Sequence, residues 1–260
     1  MKNRTLAFGE GLFETFRVYP GRKICFVEEH LERMATGCRF FDIPFSLEEA
    51  KKALFSSLNT IPEGKDVRLR LNLITYGSDT VEKVDFSTEW QPLPDMSGWK
   101  KEGVKIGLAS FRRFSGSPLV RFKTTSYLEN ITNFRQARCR GFFDAIFANE
   151  VGEITEGSIS NIFFIKEDLL ITPPVESGLL PGITRKKIIE LCHASGLSVN
   201  ETRITLADLD QFESAFVTNS VVEILSVVTI EHIQHRPSTI VAVLQEEYKK
   251  LIERSCERLD

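Results

Sequence analysis

Residues 121–130 read Arg-Phe-Lys-Thr-Thr-Ser-Tyr-Leu-Glu-Asn and place a lysine three residues before a helix start. Within this stretch, Ser126-x-x-Glu129 has the spacing of a capping box, which predicts a helix that begins there. Apolar residues at three-residue spacing predict one packed face on that helix. They are Leu128, Ile131 and Phe134. Lys123 is therefore expected to be held on a fixed element.

The environment expected for Lys123 suits a reactive amine. Positive potential from the helix N-terminus and from Arg121 would disfavour the ammonium form and lower the pKa of Lys123. An amine that is partly neutral near pH 7 can attack a carbonyl carbon and form a Schiff base. The plainer interpretation is a surface lysine beside a helix cap. The rest of the chain has to decide between the two.

Length and composition set broad limits. The chain has 260 residues, which is enough for one large or two smaller domains. Its net charge of -3 gives no support for a nucleic-acid partner or for an anionic membrane surface. No apolar run reaches membrane-spanning length, and the N-terminus lacks a signal-peptide core. We expect a soluble, cytoplasmic protein with no nucleic-acid or membrane partner.

The cysteines and histidines do not form a recognisable metal or disulfide pattern. The five cysteines are scattered, odd in number and never spaced as C-x-x-C, which predicts neither a disulfide framework nor a zinc site. The four histidines lack metal-ligand spacing. We therefore expect no metal and a reducing compartment.

Hydrophobic spacing predicts a mixed α/β chain. Strands are predicted at 12–19, 24–26, 67–73 and 104–109, and helices at 28–41, 184–195 and 238–258. Residues 80–101 are polar with scattered prolines and are expected to be irregular. The segment Phe114-Ser-Gly-Ser-Pro118 is typical of a linker. We therefore place an N-terminal α/β domain at 1–113, a linker at 114–122 and a C-terminal domain at 123–260.

Four later segments carry residues that suit a cofactor site. They are Asp144-Ala-Ile-Phe-Ala-Asn149, Ile154-Thr-Glu-Gly-Ser-Ile-Ser-Asn-Ile-Phe-Phe164, Leu179-Leu-Pro-Gly-Ile-Thr-Arg185 and Phe216-Val-Thr-Asn-Ser220. In order and spacing, with Lys123, they resemble the class IV aminotransferases, the pyridoxal-phosphate enzymes of fold type IV. That family includes branched-chain and D-amino acid aminotransferases and 4-amino-4-deoxychorismate lyase. The resemblance implies a two-domain α/β fold, with a small N-terminal domain and a larger, barrel-like C-terminal domain, and a homodimer.

The resemblance also implies a role for each group that would bind pyridoxal 5'-phosphate. Lys123 would join the aldehyde as a Schiff base, and Glu156 would pair with the pyridinium nitrogen. Leu180 would cover one face of the ring. Without the resemblance, Glu156 could equally be an exposed glutamate in a turn.

The cofactor phosphate would be bound by donors from three parts of the chain. Arg33 matches the family's phosphate-binding arginine, whose planar guanidinium suits bidentate contact. Ile183 and Thr184 would offer free N–H groups at a helix start, and Ser220 matches a further phosphate contact. Read alone, Arg33 fits a solvated or salt-bridged arginine, and Gly-Ile-Thr fits an ordinary helix entry.

The reaction and the substrate stay open. A freed Lys123 can move a proton from the substrate Cα, and this serves either transamination or a lyase reaction. Residues 218–227 are closer to aminodeoxychorismate lyases, but Ile74-Thr-Tyr-Gly-Ser-Asp79 matches neither the lyase nor the D-amino acid aminotransferase pattern. Phe13 and Thr15 match positions that line the family's substrate pocket, although an alternating core strand predicts the same residues.

Two other functions compete with this one. One is a non-catalytic interaction protein that kept the fold. The other is an acyl-transfer enzyme, because Ser97-Gly-Trp-Lys100 has a Ser-x-x-Lys pattern and Lys123-Thr-Thr125 resembles Lys-Thr-Gly. The two motifs lie too close together in the sequence for such an enzyme, and no Ser-Asp-Asn element lies between them. The sequence contains no G-x-G-x-x-G, Walker or His-Glu-x-x-His motif.

Overall fold

The structure is a computed structural model that describes residues 1–257 of the chain. These residues divide into two compact units, each built from separate segments. The first unit comprises residues 1–94, 122–127 and 252–257, and the second comprises 95–121 and 128–251. Lys123 therefore belongs to the first unit.

The first unit contains one antiparallel sheet and three helices. Its elements are β1 (Lys2–Asn3), α1 (Arg4–Phe8), β2 (Leu12–Tyr19), β3 (Lys23–Cys25), α2 (Val27–Phe40), α3 (Leu47–Leu58), β4 (Val67–Gly77) and β5 (Lys83–Pro92). The short strand β15 (Cys256–Glu257) joins this sheet from the end of the chain. The strand order is β1-β4-β2-β3-β15, and β5 pairs with β4.

The core of the first unit follows from alternation along its strands. Val67, Leu69, Leu71 and Leu73 of β4 are each 0% exposed, while the residues between them are half-buried. This face of the sheet packs against α2 and α3 through residues such as Leu31, Met34 and Leu54. Since successive strand side chains point to opposite faces, the sequence alternation predicts the core directly.

The second unit is built around a nine-stranded mixed sheet. Its elements are α4 (Ser97–Glu102), β6 (Val104–Leu108), α5 (Leu128–Cys139), β7 (Asp144–Ala148), β8 (Ile154–Gly157), β9 (Asn161–Lys166), β10 (Leu169–Thr172), α6 (Ile183–Ala194), β11 (Val199–Glu201), β12 (Ser214–Asn219), β13 (Glu223–Ile230), β14 (Ile233–Gln234) and most of α7 (Thr239–Ser255). The order is β11-β10-β9-β12-β13-β6-β7-β8, with β14 on β13. Central strands on this path are apolar on both faces, as in Phe163, Phe164 and Phe216.

The two units divide the chain differently from the predicted domains. The prediction put a linker at 114–122, whereas the units separate after Pro94. The physical reason is β6, which pairs in parallel with both β13 and β7 and so belongs to the second sheet. Residues 122–127 return to the first unit because Thr124 bridges to Leu12 of β2.

The mixed α/β class is confirmed, but three local predictions were wrong. Residues 80–101 are not irregular, because β5 pairs with β4 over ten positions and α4 follows it. Ser126 is not the N-cap residue of α5, because that helix begins at Leu128, and the Ser126 hydroxyl donates to the Gly9 carbonyl oxygen at 3.2 Å. The packed face of α5 consists of Asn133 and Ala137, while Leu128 is 74% exposed.

The C-terminal segment also differs from expectation. The helix predicted at 238–258 ends at Ser255, and Arg258 lies outside the described residues. Cys256 then pairs with Cys25 in β3 and is joined to it by a disulfide, with the Cα atoms 4.2 Å apart. The expectation of no disulfide was wrong, because it rested on the scattered positions and odd number of the cysteines, and the fold brings together two cysteines that are 231 positions apart. No described helix is long and apolar enough to cross a membrane.

Candidate active site

Lys123 is fixed by its backbone rather than by a helix cap. Its carbonyl oxygen accepts a hydrogen bond from the Phe13 N–H at 2.9 Å. Two residues later, the Thr125 N–H donates to the Gly11 carbonyl oxygen at 2.9 Å. These bonds tie 123–125 along β2. The lysine side chain is half-buried, so its amine remains accessible within a fixed frame.

Two aromatic rings lie beside the Lys123 amine, and the guanidinium of Arg70 packs on one of them. Its Nζ lies 4.6 Å from the centre of the Phe13 ring and 5.8 Å from that of Tyr127. Phe13 and Tyr127 pack edge to face, and the Arg70 guanidinium lies 3.7 Å from the Phe13 ring centre. Thr15 shares the Phe13 face of β2 and stands opposite Arg70 on β4. This face therefore collects the predicted lysine and both predicted substrate residues.

Arg33 is held by a buried carboxylate on β2. Its Nε donates to Glu14 Oε1 at 2.8 Å, and its Nη2 donates to Glu14 Oε2 at 2.6 Å. His30 Nδ1 lies 2.7 Å from the same Oε2. Burial raises the pKa of Glu14, but Arg33 and His30 outweigh it and lower that pKa to about 2. Burial, opposed by Glu14, lowers the pKa of His30. Its Nδ1 donates to Glu14, because an ionised carboxylate can only accept.

The low pKa of Glu14 predicts an acid-dependent loss of stability. Because the folded-state pKa lies below the unfolded value of 4.5, Glu14 stabilises the fold fully above that pH and loses its contribution as the pH falls to about 2. The expected contribution is about 3 kcal/mol. Urea unfolding of wild type and Glu14→Gln from pH 7 down to about pH 2 measures it. Equal pH slopes in the two proteins would contradict the assignment.

Glu156 is a buried carboxylate at the end of β8. It is 6% exposed and forms an ion pair with Arg113 Nη1. Arg113 is 2% exposed, and its guanidinium lies 4.0 Å from the Phe147 ring centre. Asn161 Nδ2 donates to the other carboxylate oxygen of Glu156 at 3.2 Å. The turn glutamate of the plainer interpretation would be exposed, whereas this one is buried and fixed.

Asn161 connects Glu156 to the start of α6. The same Nδ2 donates to the Leu180 carbonyl oxygen at 2.9 Å. A Cβ atom at Gly182 would overlap Asn161 Oδ1, so only glycine fits there. Gly182 is the N-cap residue, directly before the first helical residue, Ile183. In the described part of the chain, no side chain of this N-cap position accepts a hydrogen bond from the first N–H groups of α6. The structure therefore brings Glu156, Leu180, Ile183 and Thr184 into one connected group.

The turn after Glu156 is built around Asp144. The Asp144 side chain is 0% exposed and accepts from the backbone N–H of Ser158 at 3.0 Å and of Ile159 at 3.2 Å. It also accepts from the Ser160 hydroxyl at 2.7 Å and from the Ala145 N–H at 2.8 Å. Burial raises the pKa of Asp144, although these four donors oppose the shift.

Replacing Asp144 with alanine should destabilise the protein. The change leaves four buried donors without their acceptor, and we expect a loss of about 3 kcal/mol in the free energy of unfolding. Urea unfolding of Asp144→Ala measures it. Asp210→Ala, which removes an exposed carboxylate from the same unit, is the control and should change little. A stability equal to that of the control would show that the turn does not depend on Asp144.

Ser220 lies in a second turn that contacts the first. Asn219 Nδ2 donates to the Ile159 carbonyl oxygen at 3.1 Å. Asn219 Oδ1 accepts from the N–H groups of Val221 at 2.8 Å and Val222 at 2.9 Å, which closes a tight turn around Ser220. Ser220 is therefore connected, through Ile159, to the turn that follows Glu156.

The predicted site residues thus fall into two groups. Lys123, Arg33, Phe13 and Thr15 lie in the first unit. Glu156, Leu180, Ile183, Thr184 and Ser220 lie in the second unit. Sequence reasoning gave no role to the residues that orient both groups, although two of them, Asp144 and Asn161, lie in segments quoted for the site. The others are Glu14, His30 and Arg113. A carboxylate on the apolar face of an alternating strand was a usable signal for Glu14, whereas nothing local marks Arg113.

The family model described as amino-transferase class IV matches residues 11–230. The chain belongs to the class IV aminotransferase family. The resemblance deduced from the motifs is therefore confirmed, and with it the prediction of an enzyme of this family.

Individual relatives cover nearly the whole of this class IV aminotransferase. It is 32% identical to the aminodeoxychorismate lyase of Bacillus subtilis (strain 168), over 94% of this chain and 86% of that protein. It is structurally similar to the branched-chain aminotransferase of Thermoproteus uzoniensis solved with norvaline, with 27% identity and a TM-score of 0.86 over 96% of this chain and 88% of that one. A hypothetical aminotransferase from Mycobacterium tuberculosis in its PLP-bound form gives 25% identity and a TM-score of 0.83 over 96% and 91%.

Proposed function

We propose that this protein is a pyridoxal-phosphate-dependent enzyme that acts on the amino group of an amino acid or a related small molecule. The observation that carries the proposal is the buried Glu156 carboxylate, fixed by Arg113 and Asn161 next to an uncapped helix start. Glu156 is suited to a ring nitrogen, and the helix start is suited to a phosphate. The half-buried Lys123 supplies the amine that an aldehyde requires.

The chain has donors for each polar group of the cofactor. Lys123 Nζ would hold the aldehyde carbon covalently, and Glu156 would hold a proton at the pyridine nitrogen. Arg33, the N–H groups of Ile183 and Thr184, and the Ser220 hydroxyl would bind the phosphate, and Leu180 would pack on the ring. When bound, the cofactor supplies an electron sink for negative charge that develops on the substrate.

Lys123 has a second role once the substrate amine has displaced it. Its free amine would take the proton from the substrate Cα and deliver it to another atom. In transamination, Lys123 would act as general acid and return that proton to the bound cofactor. In the lyase reaction, the leaving group would depart with its bonding electrons as the enolate of pyruvate, and the proton held by Lys123 would be available to it. The same residue therefore serves both reactions.

Of the two reactions, we put the aminodeoxychorismate lyase activity first. Its support is the Bacillus subtilis relative, together with residues 218–227, which are closer to the lyase pattern. The second candidate is transamination of a branched-chain or D-type amino acid, and its support is the likeness to the aminotransferase solved with norvaline. Pyruvate release from aminodeoxychorismate, compared with 2-oxoglutarate-dependent deamination of both amino-acid types, separates the two.

A direct test of the cofactor assignment uses the purified protein. We expect an absorbance band in the near-visible that shifts when an amino donor is added. Borohydride should then fix a pyridoxyl group on Lys123, detected by peptide mass mapping. A pyridoxyl group on a different lysine, or a protein that does not bind the cofactor, would overturn the proposal.

The competing functions receive no support from the fold. Lys100 of the Ser-x-x-Lys pattern lies in α4 and pairs with Glu223 at 3.3 Å on the surface. A non-catalytic role would require this chain to differ from relatives that are named as enzymes. We propose a cytoplasmic homodimer without nucleic-acid or membrane partners. Light scattering of the purified protein tests the dimer.

A further inference from the structure

Glu14 occupies a position where a carboxylate is costly. It lies on the face of β2 that also carries Leu12, Phe16 and Val18, and it is 0% exposed. Its neighbour across the sheet is the fully buried Leu71. Removing a charge from water in such a place is unfavourable unless the charge is paired. The ion pair that Glu14 forms therefore has to be strong, and the geometry of that pair indicates the role of the carboxylate.

Both partners of Glu14 come from a single face of α2. His30 and Arg33 are three residues apart, which places them side by side on the helix. Arg33 meets both carboxylate oxygens through Nε and Nη2, and His30 meets Oε2. A two-point contact between planar groups fixes the plane of the guanidinium and the direction in which its Nη1 corner points. Arg33 keeps 11% of its side chain exposed, so it is not sealed in the core.

Glu14 has two opposite effects on the binding of an anion by Arg33. Its negative charge neutralises the guanidinium and repels a phosphate dianion. Its two hydrogen bonds hold the guanidinium in one orientation before the anion arrives, which reduces the ordering that binding requires. Replacing the carboxylate by an amide changes both effects, so the sign of the change in phosphate affinity tells which one dominates.

We propose that Glu14 is a positioning residue for phosphate recognition, in that it holds Arg33 in the orientation that binds the cofactor phosphate, while His30 holds Glu14. The inference rests on the proposed function and deepens it, since it explains how one phosphate donor is oriented. Glu14 acts through Arg33 and does not itself contact the phosphate.

The test compares pyridoxal phosphate with pyridoxal, which lacks the phosphate but keeps the aldehyde and the ring. The ratio of their dissociation constants isolates the phosphate contribution from that of Lys123. We expect Glu14→Gln to reduce the preference for the phosphorylated form by about tenfold. Glu32→Gln is the matched control, because Glu32 is adjacent to Arg33 on α2 but is 68% exposed and pairs with Arg39. It should leave the ratio unchanged.

Two further variants separate positioning from a loss of folding. Arg33→Lys keeps the charge but cannot make the two-point contact, so it should lose a similar share of the preference. In an Arg33→Ala background, Glu14→Gln should cause no further change in the ratio. Circular dichroism identifies variants that do not fold. If Glu14→Gln is one of these, Glu14→Asp replaces it, because the shorter carboxylate keeps the charge but cannot reach both guanidinium nitrogens, and it should lower the preference in the same direction.

Each outcome bears on the inference. An unchanged or increased preference in Glu14→Gln, or a wild-type ratio in Arg33→Lys, overturns it while the cofactor assignment stands. A wild-type protein that binds neither compound overturns the proposed function itself. A wild type that binds both equally tightly removes the phosphate role of Arg33 and with it the inference.

Discussion

Lys123→Ala is expected to lower kcat by about 10³-fold or more, whichever of the two reactions the protein performs. The variant loses both the covalent hold on the cofactor and the amine that moves the substrate proton. The fold should persist, because Lys123 is anchored to β2 through its backbone carbonyl oxygen, and alanine keeps that bond. Steady-state assays with saturating cofactor, together with a thermal unfolding scan, measure both expectations.

The control for Lys123→Ala is Lys52→Ala, which removes an exposed lysine from α3 in the same unit. It should retain wild-type activity. A small primary amine added to Lys123→Ala should restore part of the activity, since it replaces the missing base. Turnover by Lys123→Ala at the rate of the control would rule out the proposed chemistry.

Loss of the Cys25–Cys256 disulfide is expected to lower the free energy of unfolding by about 4 kcal/mol, because the bond closes a loop of more than two hundred residues in the unfolded chain. Cys256→Ser, or reduction of the wild type by dithiothreitol, should produce this loss in urea unfolding. The disulfide also joins β15 to β3, so its loss should loosen the edge of the first sheet.

Cys139→Ser is the control for the disulfide, because Cys139 is exposed and free. It should leave the unfolding midpoint unchanged under either condition. In the denatured, unreduced protein, three of the five cysteines should react with a thiol reagent, namely Cys38, Cys139 and Cys192. Five reactive thiols, together with no effect of dithiothreitol, would show that the bond does not form.

Regular alternation made parts of the fold predictable. The hydrophobic pattern of residues 67–73 placed β4 and its buried face correctly. Ser46 Oγ accepts from the Glu49 N–H at the start of α3, which is the contact that a Ser-x-x-Glu capping box predicts. The error at 80–101 has a physical origin. Val84, Phe86 and Trp90 of β5 do alternate, but they are only partly buried and lie among polar residues, so the pattern was weak.

The candidate site was predictable only where a motif carries it. Glu156, Leu180 and Thr184 come from contiguous signatures, and the structure connects them through Asn161. Arg113 could not be predicted, because its contact with Glu156 depends on a fold that joins positions 43 apart. The capping box at Ser126 failed for a related reason. The Ser126 hydroxyl donates to the Gly9 carbonyl oxygen, which is distant in sequence, and α5 begins two residues later, at Leu128.

The first unit collects residues from the beginning, the middle and the end of the chain, and this affects how the protein is made. Residues 252–257 leave the ribosome only after the entire second unit, yet β15 completes the edge of the first sheet. The β3 edge of the first sheet therefore stays unpaired during synthesis, while strands of the second unit already fold. Vectorial synthesis thus completes the lysine-bearing unit last, and a chain truncated before residue 252 would leave the β3 edge of the first sheet unpaired.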